Sequence, residues 1–317
     1  MALKTNPGLA FPEDTVSGSR RNLPGIHLLN AETKAIMPSS RYLFNQATQA
    51  LQSVCDAGEA RNIAFLLLET KFGLTRAAVL SGKPIENLDE TAWLGWLARL
   101  QHHEPIQYIL EEAAFCGRTF HVNASVLIPR PETEELVAWA MAHGSGAAFL
   151  DIGTGSGCIA VTLAKQFPLA EVWAVDVSAE ALAVARRNAE AHGVAVHFVQ
   201  TDFLSGSFPA GFPAAFNLVV SNPPYVMLSE KPAMQRNVVG FEPATALFVP
   251  DNDPLVFYRH IARFCQRALA TGGKYYVETN ENLTRETARL METHSLSAEV
   301  RPDMFGKLRF VGGGRAA

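Results

Sequence analysis

The chain has 317 residues, of which 48% are hydrophobic and 18% charged, and its formal net charge is −4. That composition suits a folded globular protein with one large domain and a smaller one, and it offers no overall basic footprint for nucleic acid. No apolar run approaches the roughly 20 residues needed to cross a bilayer, and Cys55, Cys116, Cys158 and Cys265 stand too far apart for a zinc site or a disulfide framework, so reduced thiols in a cytoplasmic chain without a metal are expected.

Residues 1–38 read as an extension. MALKTNPGLAFPEDTVSGSRRN has no signal-peptide apolar stretch, and its polar, turn-forming composition predicts poor order. Met37 stands as an alternative start. Residues 39–104 carry apolar side chains at three- and four-residue spacing in RYLFNQATQALQSV, ARNIAFLLLETKFG and LDETAWLGWLARLQHH, with Gly73 and Gly82 between them. This predicts a small helical domain, suited to docking a substrate. Residues 105–126 hold short β-like stretches about Gly117 and read as a hairpin connector.

Over residues 127–314 the period changes. AAFLDIG, EVWAVDV, VAVHFVQTD, FNLVVSN and GGKYYVETN are short apolar, β-branched runs, and CIAVTLAKQF, SAEALAVARRNAEAHG and DPLVFYRHIARFCQRAL are helical stretches among them. That alternation predicts an α/β fold: a doubly wound, mostly parallel sheet with helices on both faces. AEVRPDM and KLRFVGG read as a final strand pair.

DIGTGSG follows the first of these strands and opens a helix. Its glycines at 153, 155 and 157 permit a tight turn and close backbone approach to a ligand. Many strand-to-helix loops contain glycine, but the second strand ends in Asp176, whose carboxylate can accept from both ribose hydroxyls. Asp176 also reads as a helix cap before SAEAL. Together the two features point to a ribose-bearing cofactor. The order DxGxGxG differs from a dinucleotide GxGxxG, and no P-loop lysine follows.

The fourth strand ends in SNPPYV. Proline lacks an N–H and fixes φ, and it pushes the residue before it toward extended geometry. Asn222, Pro223, Pro224 and Tyr225 therefore form a stiff corner of carbonyl acceptors, able to grip a planar NH₂ group by its hydrogens while Tyr225 packs on its plane. Such a grip suits an amide or aryl amine, a poor nucleophile that must be held in place while positive charge develops on nitrogen.

DIGTGSG with an acidic end to the second strand resembles motif I of class I S-adenosylmethionine-dependent methyltransferases. NPPY is shared by amino-methyltransferases of adenine, of cytosine and of protein glutamine. EPIQYILEEAAFCGRTFHVNASVLIPRPETEELV then strongly resembles the connector and entry helix of the release-factor glutamine methyltransferases, over about residues 40–312. The resemblance implies a class I methyltransferase with a small N-terminal helical domain. It also implies methylation of the side-chain amide nitrogen of the glutamine in the Gly-Gly-Gln loop of class 1 peptide-chain release factors, with S-adenosyl-L-methionine as cofactor. Carried over by position, Gly153, Thr154, Gly155, Ser156 and Gly157 line the cofactor and Asp176 takes the ribose. Asp202 faces the adenine amino group and Phe203 packs on the ring, or serves simply as core. Asn222 touches cofactor and substrate, and Pro223, Pro224 and Tyr225 hold the substrate amide. Glu278 matches an acidic family position and reads equally as a strand-end carboxylate. In PRPETE, Pro131 and its glutamates also suit any helix N-terminus, although the family places this segment beside the cofactor. The extension, EEAAFCG and the loop after NPPY depart from the family wording, but EPATALF within that loop is retained. Three readings stand beside the leading one: a sister methyltransferase of a large-subunit ribosomal protein, an adenine N6-methyltransferase, disfavoured by the acidic balance, and a non-catalytic binding module.

Overall fold

The computed structural model describes residues 37–315. The extension read over 1–38 lies outside them except for Met37 and Pro38. Pro38 already belongs to the packed region: its carbonyl accepts from Ile85 N at 3.0 Å, and Ser39 bridges Pro84.

Five helices come first: α1 (Ser40–Leu51), α2 (Ala57–Phe72), α3 (Arg76–Ser81), α4 (Glu90–Gln101) and α5 (Ile106–Leu110). Their starts are written locally. Ser39, Asp56, Thr75 and Asp89 each accept a first-turn backbone N–H on a side-chain oxygen, which satisfies donors the helix itself leaves unpaired. α2 and α3 end on Gly73 and Gly82 in the left-handed region. The helices share a core of their own, with Leu43, Leu51, Leu67, Leu68 and Trp93 fully buried. Trp93 keeps its polar handle satisfied by donating Nε1–H to Gln46 at 2.8 Å.

β1 (Glu112–Phe115) and β2 (Arg118–His121) form the expected antiparallel hairpin, turning at Cys116 and Gly117. The remaining elements are α6 (Pro131–His143), β3 (Ala148–Ile152), α7 (Cys158–Gln166), β4 (Glu171–Asp176), α8 (Ala179–Ala191), β5 (His197–Gln200), β6 (Phe216–Ser221) and β7 (Val226–Met227). They continue with α9 (Arg236–Phe241), α10 (Ala244–Leu247), β8 (Phe248–Val249), α11 (Val256–Ala268), β9 (Leu269–Glu278), α12 (Thr284–Thr293), β10 (Leu296–Pro302) and β11 (Leu308–Arg315).

Seven strands make one sheet in the order β10-β11-β9-β6-β3-β4-β5, parallel from β9 to β5 and antiparallel at β11 and β10. The two-residue strand period sends alternate side chains to opposite faces. Phe149, Leu218, Val220, Val172 and Ala174 pack with α6 and α7, while Leu150, Val219 and Val175 pack with α11 and α12, joined by Phe216 across a register shift between Phe216 and Leu218. Chain order runs outward from β3 through β4 to β5, then jumps back to β6 on the other side of β3. That reversal opens a crevice at the carboxyl ends of β3, β4 and β6.

The helical region is tied to this sheet. Tyr108, Val122, Val126 and Ile128 pack on Ala181 and Val184 of α8, and Tyr108 Oη donates to Val126 O at 2.6 Å.

Candidate active site

The crevice is a cleft open to solvent. It is lined by the ends of the three strands, by the segment before α6, and by residues around α10.

The glycine-rich loop is held from beneath by Asp151, which is fully buried. Its Oδ2 accepts from Thr154 Oγ1 (2.6 Å) and Ala160 N (3.2 Å), while Oδ1 is buried without a partner. Burial pushes this carboxyl up to about 7 despite those bonds. Gly153 N and Thr154 N both donate to Val175 O, which stitches the loop to β4. Gly153 and Gly155 have φ of +71° and +53° with open space where a Cβ would stand, so bare backbone faces the cleft.

Asp176, at the end of β4, accepts from Gly155 N on Oδ2 (2.9 Å) and from Ser178 N on Oδ1 (3.0 Å). Asp176 faces the cleft, but it is not the helix cap: Ser178 caps α8 by accepting from Ala181 N, and Asp176 holds the N–H of that cap residue. Burial raises its carboxyl above the ordinary range. Asp202 is exposed at the rim and caps a short turn by accepting from Leu204 N. Phe203 does two things at once: it lines the cleft and packs against Phe208 and Phe264 with ring centroids 5.9 and 5.6 Å apart.

Asn222, Pro223 and Pro224 line the same cleft. Asn222 Nδ2 donates to Thr133 Oγ1 at 2.9 Å, and Thr133 Oγ1 donates to Glu278 Oε2 at 2.7 Å. Tyr225 Oη donates to the other oxygen, Glu278 Oε1, at 3.0 Å. Glu278 is 1% exposed, and burial raises its carboxyl. Burial also drives the Tyr225 phenol far above its usual range, so it stays protonated and donates.

Two predicted residues stand apart from the cleft lining. Gly157, at φ +80°, instead lets α7 approach α8: an added Cβ would lie 3.0 Å from Ala185 Cβ and 3.1 Å from its Cα. Tyr225 has its hydroxyl committed to Glu278 and its ring packed with the core beside α11.

Three other features escaped the sequence reading. Thr133 sits in the quoted PRPETE, but no spacing tied it to Asn222. Asn188 of α8 is buried and latches β2 to the loop, donating to His121 O (2.9 Å) and Ser156 O (2.8 Å) and accepting from His121 N (2.7 Å). Glu242 is 6% exposed; it accepts from Arg130 at 2.5 Å and from Ile128 N at 3.2 Å, which pins the segment after NPPY to the segment before α6. Among the described residues no cluster of His, Cys, Asp and Glu is placed to hold a metal ion, and no helix is long and apolar enough to cross a membrane.

The chain matches curated relatives along most of their length. The chain is 40% identical over 275 residues to a protein of Flavobacterium psychrophilum named release factor glutamine methyltransferase, covering 84% of this chain and 95% of that one. It is 42% identical over 267 residues to a protein of the same name from Bacteroides thetaiotaomicron, covering 83% and 95%. The chain belongs to the release factor glutamine methyltransferase family. Two family models match within it: the PrmC N-terminal domain over residues 43–110, and the Methyltransferase small domain over residues 131–240. The first spans α1 to α5. The second begins at the N-terminus of α6 and includes the glycine-rich loop, Asp176 and the Asn-Pro-Pro-Tyr corner. Among solved structures, a release factor-specific protein-(glutamine-N5) methyltransferase of Alicyclobacillus acidocaldarius is 29% identical, covering 62% of this chain and all of that one at a TM-score of 0.38.

Proposed function

We propose that this protein transfers a methyl group from S-adenosyl-L-methionine to the side-chain amide nitrogen of the glutamine in the Gly-Gly-Gln loop of peptide-chain release factors. The observation that carries the reading is that Asn222 and its prolines share one cleft with the glycine-rich loop and Asp176. The family's printed activity fits that juxtaposition.

The residues suit the cofactor chemically. Gly153 and Gly155 leave the backbone uncovered where an extended ligand must pass. Asp176 supplies a carboxylate for ribose hydroxyls, Asp202 an acceptor for an amino group, and Phe203 an apolar wall. Thr154 and Ser156 carry the loop between the glycines, and Gly157 sets the angle at which α7 leaves it. When bound, S-adenosyl-L-methionine supplies an electrophilic methyl group on a sulfonium.

The chain's own work is done at the corner. An amide nitrogen has its lone pair delocalised into the carbonyl. Acceptors aimed at its two hydrogens hold it in one orientation and stabilise positive charge as it builds on nitrogen. Asn222 offers Oδ1, since its Nδ2 is already donated to Thr133. Pro223 and Pro224 offer carbonyls on a backbone that lacks their N–H groups and resists turning. No side-chain base is needed, because a protonated amide product loses its proton readily to water.

A release factor is the acceptor we infer. The corner fits any planar NH₂, so selectivity must come from a larger contact, and a standard protein interface needs about 800 Å² per partner. The helical region and hairpin offer such a surface. Incubating the protein with methyl-labelled cofactor and, separately, a release factor, a large-subunit ribosomal protein and duplex DNA tests the assignment. Label should appear on the release factor, and label confined to either of the others would overturn it.

A further inference from the structure

Asn222 is useful as an acceptor only if its amide faces one way. A side-chain amide rotated by half a turn puts NH₂ where the carbonyl was, and donor then meets donor. The shape of Asn222 does not distinguish the two orientations, so something else must.

We propose that Thr133, backed by Glu278, is a positioning residue that sets which way round the Asn222 amide faces; the inference rests on the glutamine-methylation reading above. A hydroxyl has one proton to give. Thr133 Oγ1 gives its proton to Glu278 Oε2 at 2.7 Å. The partner that remains to it, Asn222 at 2.9 Å, must therefore donate. Only the NH₂ end of the amide can do that, so Oδ1 is left on the far side as the free acceptor. No described residue donates to it.

Glu278 is in turn fixed from several directions. Its second oxygen takes the Tyr225 hydroxyl at 3.0 Å, and its backbone carbonyl takes the Tyr258 hydroxyl at 3.0 Å. A buried acceptor holding two hydroxyl donors keeps both protons pointed at itself. The polarity of the chain therefore runs one way, from Asn222 through Thr133 to Glu278. Three separate elements supply its members: the first turn of α6, the end of β6 and the end of β9. Thr133 is 3% exposed, so water does not compete for its hydroxyl.

The substitutions that separate this role from packing are Thr133→Val, which keeps the shape and removes the hydroxyl, and Thr133→Ser, which keeps the hydroxyl. In Thr133→Val, kcat for methyl transfer to release factor should fall by about ten- to a hundredfold, as for one misdirected charge-linked hydrogen bond. KM for the release factor and affinity for the cofactor should stay within about threefold, because the lost interaction belongs to the transition state. Thr133→Ser should return kcat to within about threefold of the unsubstituted protein. Wild-type turnover in Thr133→Val, or a serine variant no better than the valine one, overturns the proposal.

A second readout needs no activity and no substitution at Thr133. In the unsubstituted protein, the side-chain NH₂ of Asn222 should exchange its hydrogens with solvent slowly in nitrogen-15 spectra, its signals being identified by their loss in Asn222→Asp. Exchange at the rate of a free amide would mean that Thr133 does not hold it. If the unsubstituted protein binds cofactor but labels no release factor, the functional reading fails, while the exchange result still decides the clamp.

Discussion

Asp176→Ala tests the cofactor side of the cleft most sharply, because the structure gives this carboxylate two jobs with separate readouts. Its Oδ2 and Oδ1 accept from Gly155 N at 2.9 Å and Ser178 N at 3.0 Å, and the same group faces the cleft. Hydrogen bonds to a charged group contribute roughly 1.5–3 kcal/mol. At about 1.4 kcal/mol per factor of ten, loss of the ribose contact should weaken cofactor binding about ten- to a hundredfold. The two backbone donors lie at the cleft edge, where water can replace the carboxylate, so their loss should cost about 1–3 kcal/mol of folding stability together. Asp176→Asn keeps one carbonyl acceptor but turns an NH₂ toward the other backbone N–H, and it should fall between the two. Because burial raises the Asp176 carboxyl, cofactor affinity should decline on acidification before an ordinary surface carboxylate titrates. Titration calorimetry with S-adenosyl-L-methionine and thermal denaturation of the free protein measure the two effects. Wild-type affinity with an unchanged midpoint in Asp176→Ala would refute both.

Gly157→Ala forces a side chain into the left-handed region, at about 1–2 kcal/mol, and against Ala185, at about 1–3 kcal/mol for overpacking; denaturant titration should show a loss of about 2–5 kcal/mol, and an unchanged midpoint would mean that α7 and α8 separate freely. Asn222→Ala should lower methyl transfer by about 10²–10³ and alter cofactor affinity far less; equal losses in the two assays would make Asn222 part of the cofactor pocket alone. Asp151 is held up at about 7 by burial, so the folded state keeps a proton that the unfolded chain releases near pH 3.9, and this group's stabilisation, full below about 3.9, is lost as pH rises toward 7. Asp176 and Glu278 are raised as well and share that sign, so the comparison is with Asp151→Asn, whose stability measured by denaturant at acid and at neutral pH should change less with pH than that of the unsubstituted protein.

The parts of this fold legible in the sequence are those whose signal is local and periodic. The short apolar runs FLDI and FNLVVS are neighbouring strands β3 and β6 of one sheet, and Ser39, Asp56 and Asp89 stand where helices α1, α2 and α4 begin. DIGTGSG and NPPY were legible because glycine and proline announce backbone geometry directly. What was not legible is contact between distant segments. Thr133 and Asn222 are 89 positions apart and meet only because α6 begins, and β6 ends, at the same edge. Asn188 sits on the buried side of an ordinary helical run, and nothing in SAEALAVARRNAEAHG distinguishes a latch from a solvent-facing asparagine. VMLSEKPAMQRNVVGFEPATALF folds as β7, a short 3₁₀ segment, α9 and α10. Each of these is too short for a helical or strand period to register. Glu242 within it is an unremarkable charge until Arg130 arrives from 112 positions away.

Methyl transfer to the amide nitrogen of glutamine, on a folded release factor, leaves a mass change that can be located on one residue. The most direct measurement is mass spectrometry of a release factor after incubation with the protein and S-adenosyl-L-methionine, beside the same factor carrying Gln→Glu in its Gly-Gly-Gln loop. One added methyl group is expected on that glutamine, and none on the glutamate variant, which has no NH₂ for Asn222 and Pro223 to hold. Methyl added to the glutamate variant, or to another residue of the intact factor in preference to that glutamine, would contradict that assignment.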